Sequence, residues 1–299
     1  MKKSKWDKER IPGQAGRIII VTGAGSGIGF EAAKALAEKG GKIIIAVRDT
    51  RKGEEAASRI KEGKRDREVT VKELDLADLS SVKRFAENFN AEYDRLDILI
   101  NNAGVMIPPY SKTRDGFELQ MGTNHLGHFA LTLQLLDRLK KTPGSRVVNV
   151  SSNAHKIGKI DFEDIHWEKR KYSAVKAYGD SKIANLHFTA HLAKKLEGKS
   201  PIVVAAHPGY SSTGLMRHSK AFEFVTRFIA QDAVMGALPT LYAATAEGVQ
   251  SGDYYGPDGF MEQKGYPKKT EAITRAKDEK IAEKLWKVSE ELTRVNSEE

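Results

Sequence analysis

The chain has 299 residues and is 40% hydrophobic, enough for one large core, and it contains no cysteine, which excludes disulfides, zinc–thiolate sites and thiol nucleophiles. The net charge of +9 arises from 49 basic residues interspersed with 40 acidic ones, a pattern that indicates a solvated surface and no nucleic-acid partner. Because no apolar run approaches the roughly 20 residues that span a bilayer, and Met1–Arg10 is charged, we expect no membrane span, no signal peptide and a cytoplasmic location.

Short apolar runs alternate with longer amphipathic segments as far as Ala206. The predicted strands are Arg17–Thr22, Lys42–Val47, Val69–Leu74, Leu96–Asn101, Arg146–Val150 and Ile202–Ala206. The predicted helices are Ile28–Gly40, Arg51–Glu62, Ser80–Tyr93, Asn124–Lys140 and Tyr178–Leu196. Continuous apolar strands separated by helices predict a mostly parallel sheet buried on both faces, and hence a three-layer, doubly wound α/β Rossmann fold. Such sheets bind ligands at the carboxyl ends of their strands.

The remainder of the chain predicts a loop and a terminal helix within a single Rossmann-type domain, residues 1–299. The segment Gly209–Met235 lacks strand alternation, and we expect a substrate loop or lid there. Its apolar side chains, Met216, Phe222, Phe224 and Phe228, suggest an apolar substrate. Residues 271–295 predict a charged amphipathic helix with one apolar stripe that packs on the domain.

A glycine-rich turn follows the first strand, in the sequence Thr22-Gly23-Ala24-Gly25-Ser26-Gly27-Ile28-Gly29. Glycine permits a tight turn and lets backbone N–H groups approach a phosphate at a helix N-terminus. A glycine cluster alone is weak evidence, since a plain strand-to-helix turn has the same composition. Its position between the first strand and first helix of a βαβ unit nevertheless predicts a dinucleotide site.

The end of the second strand indicates which nicotinamide cofactor is used. An acidic residue there would bind the ribose 2′-hydroxyl of NAD, whereas an arginine accommodates the 2′-phosphate of NADP. The chain has Arg48 followed by Asp49, and Ser26 lies nearby in the glycine turn. Arg48 can stack on adenine and pair with a phosphate, while Asp49 favours NAD. We expect NADP(H), with NAD(H) as the alternative.

Two tyrosines each precede a lysine by four residues, a spacing that puts both side chains on one helical face. Tyr178 and Lys182 would supply a proton donor and a cation that lowers its pKa, and Ser152, after the fifth strand, could bind the substrate oxygen. Tyr172 and Lys176 have the same spacing, but in a charged, irregular stretch where we expect an exposed tyrosine. We prefer Tyr178 because it opens an apolar helix that can hold it rigidly.

The histidines suggest other sites only weakly. His187 and His191 are spaced i, i+4 on a helix, but no third ligand is evident, so we predict no metal. His155 follows Ser152 closely enough to be a candidate for the substrate pocket. His125 and His128 are expected to pack or cap.

Together these motifs resemble the short-chain dehydrogenase/reductase family. The shared motifs, in the family's order, are Thr22-Gly23-x-x-x-Gly27-x-Gly29, Asp75-Leu76, Asn101-Asn102-Ala103-Gly104, Asn124, Ser152, Tyr178-x-x-x-Lys182 and Pro208-Gly209. The resemblance implies hydride transfer between a nicotinamide cofactor and an alcohol, aldehyde or ketone. It also implies a homodimer or homotetramer in which the helices that begin at Asn124 and Tyr178 pair between subunits.

The resemblance implies a catalytic tetrad of Asn124, Ser152, Tyr178 and Lys182, in which Asn124 holds a water that connects Lys182 to solvent. The cofactor contacts that we expect from the turn, the second strand and the resemblance are Thr22, Gly23, Ser26, Gly27, Ile28, Gly29, Arg48, Asp75, Leu76, Asn102, Ala103, Gly104, Tyr178, Lys182, Pro208, Gly209 and Thr213. Asp75 would contact adenine, and Thr213 the nicotinamide carboxamide.

The chain is also similar to a narrower branch, the retinol dehydrogenase and protochlorophyllide reductase-like members. Asn101–Met106, Thr123–Phe129 and Val148–His155 carry this likeness, together with the long gap before Tyr178, and Tyr255–Gly259 resembles a bacterial form. The lack of cysteine argues against pigment reduction, and the fold alone does not imply retinoid activity. The alternative is a non-catalytic NADP(H)-binding regulator, which would need the glycine turn but not the tetrad.

Overall fold

The computed structural model describes residues 5–64, 66–209 and 232–296, and one mixed sheet runs through it. Its eight strands are β1 Ile18–Thr22, β2 Lys42–Val47, β3 Val69–Glu73, β4 Ile98–Asn101, β5 Arg146–Val150, β6 Ile202–Ala206, β7 Tyr254–Pro257 and β8 Pro267–Lys269. Their order is β3-β2-β1-β4-β5-β6-β7-β8, and neighbours are parallel except for antiparallel β7 and β8. The strand order reverses between β1 and β4, which opens a crevice at their carboxyl ends.

Helices cover both faces of the sheet. They are α1 Gly27–Glu38, α2 Thr50–Lys61, α3 Leu79–Glu92, α4 Leu119–Met121, α5 Gly127–Gln134, α6 Leu136–Lys141, α7 Ala174–Lys195, α8 Ala233–Thr245 and α9 Glu279–Thr293, with a π turn at Gly122–Leu126 between α4 and α5. The helices α1, α2 and α8 pack on one face and α3, α5 and α7 on the other, while α9 packs outside α5 and α7. The predicted three-layer Rossmann fold is confirmed.

The strands form where the chain is continuously apolar and β-branched, since both faces of a central parallel strand are buried. Alternate residues of β1 divide between two cores. Ile19 belongs to the core under α1, whereas Ile20 belongs to the core under α3 and α5, and both are fully buried. Ile19 pairs with Ile43 of β2, which has the same environment. This register keeps each face of the sheet apolar.

Several predicted boundaries differ from the structure. The helix expected over Asn124–Lys140 begins earlier, at Leu119, and the π turn interrupts it. The helix expected to open at Tyr178 begins at Ala174, so Tyr178 lies in its second turn. The last helix begins at Glu279 rather than residue 271, because the Asp278 carboxylate caps it by accepting from two backbone N–H groups.

Three elements were not predicted, β7, β8 and α8. The strands are short, and β7 contains Gly256 and Pro257, residues that ordinarily mark turns. The helix α8 contains Pro239 and buries most of its surface, so it lacks an amphipathic stripe. It includes the last three residues of the expected lid, and residues 210–231 of that segment lie outside the described part of the chain. Among the helices described, none combines the length and apolar character that crossing a bilayer requires.

Candidate active site

A cleft of about 370 Å³ lies at the crevice between β1 and β4. The predicted cofactor residues that line it are Gly23, Ser26, Gly27, Ile28, Gly29, Arg48, Asp75, Leu76, Asn102, Ala103, Gly104, Tyr178, Lys182 and Pro208. The lining residues that we did not predict as contacts are Gly25, Ala46, Val47, Asp49, Lys52, Leu74, Val105, Met106, Thr123, Val150 and Ser151. Most of the second set adjoin a predicted motif in the chain, and Lys52 lies one helical turn after Arg48, so position alone could have found them.

Four predicted residues do not line the cleft directly. Thr22 is fully buried beneath it, where its hydroxyl oxygen accepts from the backbone N–H groups of Asn102 and Ala103, both at 2.9 Å. Gly209 has a positive φ of 68° and lies against the Gln263 carbonyl. Asn124 lies behind the lining, next to Val105, and the partly exposed Ser152 lies beside it, hydrogen-bonded to Tyr178. The remaining predicted contact, Thr213, is outside the described residues.

The glycine turn forms a cradle that side chains would fill. Gly23 has φ +69°, and a Cβ there would lie 2.9 Å from the Cα of Ala103. At Gly29 a Cβ would collide with the Asn102 amide and the Gly23 carbonyl. Ser26 begins α1 in an extended conformation, but its hydroxyl makes no capping bond. The helix N-terminus therefore presents backbone N–H groups and a hydroxyl in the cleft, a donor set that fits the pyrophosphate of a dinucleotide.

Arg48 and Asp49 have different surroundings at the end of β2. The Asp49 carboxylate caps α2 by accepting from Lys52 N at 3.2 Å, and it lies 3.4 Å from the Lys52 ammonium. The Lys52 N–H and ammonium both lower the Asp49 pKa. Arg48 is exposed at the cleft and has no ion-pair or hydrogen-bond partner among the described residues. The carboxylate is thus already engaged, and the guanidinium is available to an anion.

The helix α7 brings Tyr178 and Lys182 to the inner end of the cleft. Lys182 is 4% exposed, and its ammonium donates to the Val150 carbonyl at 3.1 Å and lies 5.6 Å from the Tyr178 ring centroid. Burial lowers the pKa of Lys182 to about 8. Burial also raises the pKa of Tyr178 to about 12, against a hydrogen bond with Ser152 that lowers it. The prediction that Lys182 and the charged nicotinamide together lower the pKa of Tyr178 concerns the cofactor-bound protein and stays a prediction; in the protein alone, burial raises this pKa because it removes the tyrosinate from water.

Asn124 links the loop after β4 to α7. Its side-chain Oδ1 accepts from Val105 N at 2.8 Å, and its Nδ2 donates to the Val105 carbonyl at 3.0 Å. The same Nδ2 donates to the Ser181 hydroxyl at 2.9 Å, and that hydroxyl donates to the Tyr178 carbonyl at 2.8 Å. A Cβ at Gly104 would lie 2.9 Å from Asn124 Oδ1, so glycine is required for this approach. The π turn that contains Asn124 therefore holds both the cleft wall and the tyrosine helix.

The competing pair of Tyr172 and Lys176 is not assembled. The Tyr172 hydroxyl donates to Glu118 Oε1 and accepts from Gln120 Nε2, both at 2.9 Å. The expectation of an exposed loop tyrosine was wrong, because these buried polar side chains hold the ring half-buried. Burial and the neighbouring Glu118 carboxylate raise the pKa of Tyr172. Lys176 is exposed, so only Tyr178 has a buried ammonium beside it.

The histidines of the described segments lie outside the cleft lining. His155 is fully buried, and its Nδ1 lies 2.7 Å from the Ser152 carbonyl, so it supports the serine turn from behind. His191 stacks on Trp286 of α9, with ring centroids 4.9 Å apart, and His187 is buried on the same helix. Within residues 5–64, 66–209 and 232–296, no three acidic or histidine side chains form a group that could hold a metal ion.

A doubly wound sheet with a glycine cradle at its reversal point, and a tyrosine–lysine pair beside it, defines a dinucleotide-binding oxidoreductase. Comparison with known proteins identifies the family: residues 17–223 match the short chain dehydrogenase family. The chain belongs to this family, whose members are oxidoreductases that bind a nicotinamide cofactor.

Similar proteins are found among both sequences and structures. Retinol dehydrogenase 12 of Homo sapiens is 48% identical over 282 residues, which cover 93% of this chain and 86% of that protein. The crystal structure of an uncharacterised protein from Mycobacterium paratuberculosis is 44% identical, with a TM-score of 0.85 over 99% of this chain and 100% of that one. A short chain dehydrogenase from Shigella flexneri 2a, complexed with NADP, is 25% identical, with a TM-score of 0.63 over 81% and 96% of the two chains.

Proposed function

We propose that this protein is an NADP(H)-dependent oxidoreductase that interconverts an apolar alcohol and its aldehyde or ketone. The observation that carries the proposal is the convergence of Tyr178, Lys182 and Ser152 beside a cleft with a glycine cradle. The name of the relative retinol dehydrogenase 12, which refers to an apolar primary alcohol, supports the substrate class.

The preference for NADP(H) follows from the charges at the end of β2. Asp49 is engaged as a helix cap, so its carboxylate is poorly placed to select a ribose 2′-hydroxyl. Arg48 offers a guanidinium without a partner in the described chain, which suits a bidentate contact to a 2′-phosphate. Lys52 adds a second positive charge to the same end of the cleft. The Shigella flexneri structure that holds NADP supports the same choice.

The cleft residues divide the chemistry among themselves. When bound, the nicotinamide ring supplies or accepts the hydride. In the reduction direction, the Tyr178 hydroxyl donates its proton to the carbonyl oxygen, which the Ser152 hydroxyl also binds. Because burial keeps Tyr178 protonated at neutral pH, it is in the correct form to donate. The Lys182 ammonium then stabilises the tyrosinate that remains, until a proton from solvent restores it.

Two measurements test the proposal. Fluorescence titration should show tighter binding of NADPH than of NADH, and the purified protein should reduce apolar aldehydes or ketones with NADPH. Tyr178→Phe should lower kcat by about 10²–10⁴-fold while the Kd for NADPH stays close to that of the parent protein.

The matched control is Tyr172→Phe, which removes a hydroxyl from the other tyrosine that precedes a lysine by four residues. This variant should lose stability, because Glu118 loses a hydrogen-bond donor, but it should keep its turnover. Loss of turnover in Tyr172→Phe and not in Tyr178→Phe would overturn the assignment. Tight NADPH binding with no turnover of any alcohol or carbonyl compound would favour the non-catalytic regulator instead.

A further inference from the structure

His128 lies on α5, four residues after Asn124, and is 2% exposed. Its two ring nitrogens contact two different parts of the molecule. Nδ1 is 3.0 Å from the main-chain carbonyl oxygen of Asn124, within the π turn. Nε2 is 2.9 Å from the hydroxyl oxygen of Thr22, at the carboxyl end of β1.

The partners of His128 determine where its proton is. A carbonyl oxygen can only accept, so Nδ1 carries the hydrogen and donates it to Asn124. Burial lowers the pKa of His128 to about 4, so the ring is neutral at physiological pH and Nε2 is an acceptor. The Thr22 hydroxyl therefore donates to Nε2. Its oxygen accepts from the N–H groups of Asn102 and Ala103, which line the cleft.

These bonds continue on the other side of His128 to the tyrosine helix. The Asn124 side chain binds both backbone groups of Val105 and also the Ser181 hydroxyl, which binds the Tyr178 carbonyl. Two sets of hydrogen bonds, joined covalently through the main chain and side chain of Asn124, thus connect the end of β1, the loop after β4 and the second turn of α7. Every bond in the two sets is 3.0 Å or shorter, and His128 joins Thr22 to Asn124.

We propose that His128 is a positioning residue. Through one hydrogen bond from each ring nitrogen, it aligns Asn102 and Ala103, which line the cofactor cleft, with Asn124. The inference rests on the proposed function, since it concerns NADPH binding and the alignment of Tyr178. His128 does not line the cleft itself and acts through Thr22 and Asn124. The Nε2 bond supports the backbone of Asn102 and Ala103, and the Nδ1 bond supports the π turn behind the tyrosine.

Two substitutions of His128 can test its two hydrogen bonds separately. The side-chain amide of asparagine can occupy the position of Nδ1, and that of glutamine the position of Nε2. His128→Asn keeps a donor for the Asn124 carbonyl and loses the bond to Thr22, whose hydroxyl can turn only to the Ile100 carbonyl at 3.3 Å. We expect the Kd for NADPH to rise about threefold to tenfold, with kcat within about twofold of the parent value. His128→Gln should show the reverse, a kcat lowered by about threefold to tenfold and a nearly unchanged Kd.

The Kd is read by fluorescence titration without substrate, so it does not depend on turnover. The matched control is His187→Asn and His187→Gln, since His187 is 1% exposed on α7 and has no hydrogen bond to Thr22 or Asn124. These controls should lower the melting temperature and leave both the Kd and kcat unchanged. The inference would be overturned if the two His128 variants raised the Kd and lowered kcat to the same extent, or if neither variant changed either quantity.

A second variant keeps the test decisive if the histidine variants fold poorly. Thr22→Val removes the hydroxyl that binds Nε2, and it should raise the Kd for NADPH; a parental Kd in this variant contradicts the inference. Measurements on the parent protein distinguish a failure of this inference from a failure of the proposed function. If the parent protein fails to bind NADPH, the proposed function is wrong, whereas binding and turnover with unaffected His128 variants would reject only the role of His128.

Discussion

At the scale of single residues, Arg48 and Asp49 are adjacent charges with different neighbours, and the proposed preference for NADP(H) rests on this difference. The Asp49 carboxylate caps the helix α2, so it has a structural role that any approach to a ribose would disturb. Arg48 has no hydrogen-bond or ion-pair partner among the described residues. Charge selection at this site therefore depends on which side chain is already bonded.

Replacing Arg48 should change the cofactor preference. We expect Arg48→Ala to weaken NADPH binding by about tenfold and to leave NADH binding unchanged, because a charge-assisted bond to a phosphate contributes about 1.5–3 kcal/mol, part of which solvent screens. Fluorescence titration with both cofactors measures this. The control is Arg51→Ala in the first turn of the adjacent helix α2, where the guanidinium pairs with Glu55 at 3.3 Å. Equal weakening of both cofactors in Arg48→Ala would contradict the assignment.

The buried ammonium of Lys182, to which we assign a role in the proposed reaction, opposes folding. Because its pKa in the folded protein, about 8, is below the ordinary 10.5, the unfolded chain binds more protons between these pH values. The cost of burying the charge is present in full below pH 8, and it disappears as the pH rises to about 10.5. A difference of this size corresponds to roughly 3 kcal/mol.

Lys182→Met should therefore abolish turnover and yet raise the melting temperature by several degrees at pH 7. The Val150 carbonyl keeps a partner in this variant, since Asn185 Nδ2 also donates to it at 3.2 Å. Calorimetry at pH 7 and pH 10 should show that the gain shrinks at the higher pH. Lys176→Met, an exposed position on the same helix, should show no gain at either pH. A variant less stable than the parent at pH 7 would refute this account of Lys182.

At the scale of elements, the segment between β5 and α7 is held by one guanidinium. Arg170 lies 3.2 Å from Asp161, 3.4 Å from Asp164 and 3.5 Å from Asp180, and it stacks over Trp167 at 3.7 Å. Asp180 belongs to α7 and follows Tyr178 by two residues. Burial raises the pKa of Asp180 to about 6, although the Lys159 N–H and Arg170 lower it. The segment between β5 and α7 is thus tied to the helix that carries Tyr178.

Removing this guanidinium should destabilise the protein in a pH-dependent way. Arg170→Met leaves buried carboxylates without their cation, and we expect a loss of about 2 kcal/mol in the free energy of unfolding at pH 7. The loss should be smaller at pH 5, where Asp180 becomes protonated more readily in the variant. Urea denaturation at both pH values measures it. Lys169→Met, an exposed neighbour, should have little effect; an equal loss at both pH values would exclude Asp180 from the explanation.

Some elements of secondary structure could be predicted from the sequence and others could not. Strands β1 and β2 were predicted within a residue, because an unbroken apolar run is required when both faces are buried. The π turn was not predictable, since it depends on bonds that Asn124 makes to Val105 and Ser181, both far from it in the chain. The short strand β7 depends on its place beside β6 rather than on its own composition.

At the scale of the whole molecule, α9 covers the outward faces of α5 and α7. Trp286 is 4% exposed and packs against Phe129, Phe188 and His191, at centroid distances of 5.0, 5.9 and 4.9 Å. On the same helix, the Ser289 hydroxyl lies 3.0 Å from His125 Nε2. The homodimer or homotetramer stays a prediction. The pairing of these two helices between subunits, which the family resemblance implied, would require α9 to be displaced.

We therefore expect any oligomer to use another face. Trp286→Ala should lower the free energy of unfolding by about 3–5 kcal/mol, as for other large buried aromatic side chains, and should leave the mass of the oligomer unchanged. Light scattering gives the mass, and calorimetry gives the stability. Lys287→Ala, exposed on the same helix, serves as the control. A monomeric parent protein would reject the oligomer, and a changed mass in Trp286→Ala would place the interface at α9.

The sequence by itself determined the class of fold, the glycine turn and the catalytic candidates, because apolar periodicity and short motifs are local and depend on neighbours in the chain. The sequence preferred Tyr178 to Tyr172 although the two have the same spacing, and the tertiary structure showed how their surroundings differ: a buried ammonium lies beside Tyr178, whereas the Tyr172 hydroxyl is bonded to Glu118 and Gln120. Only the tertiary structure decided that burial dominates the pKa values of Tyr178 and Lys182. Burial and long-range hydrogen bonds come from packing between distant segments, which no local pattern encodes.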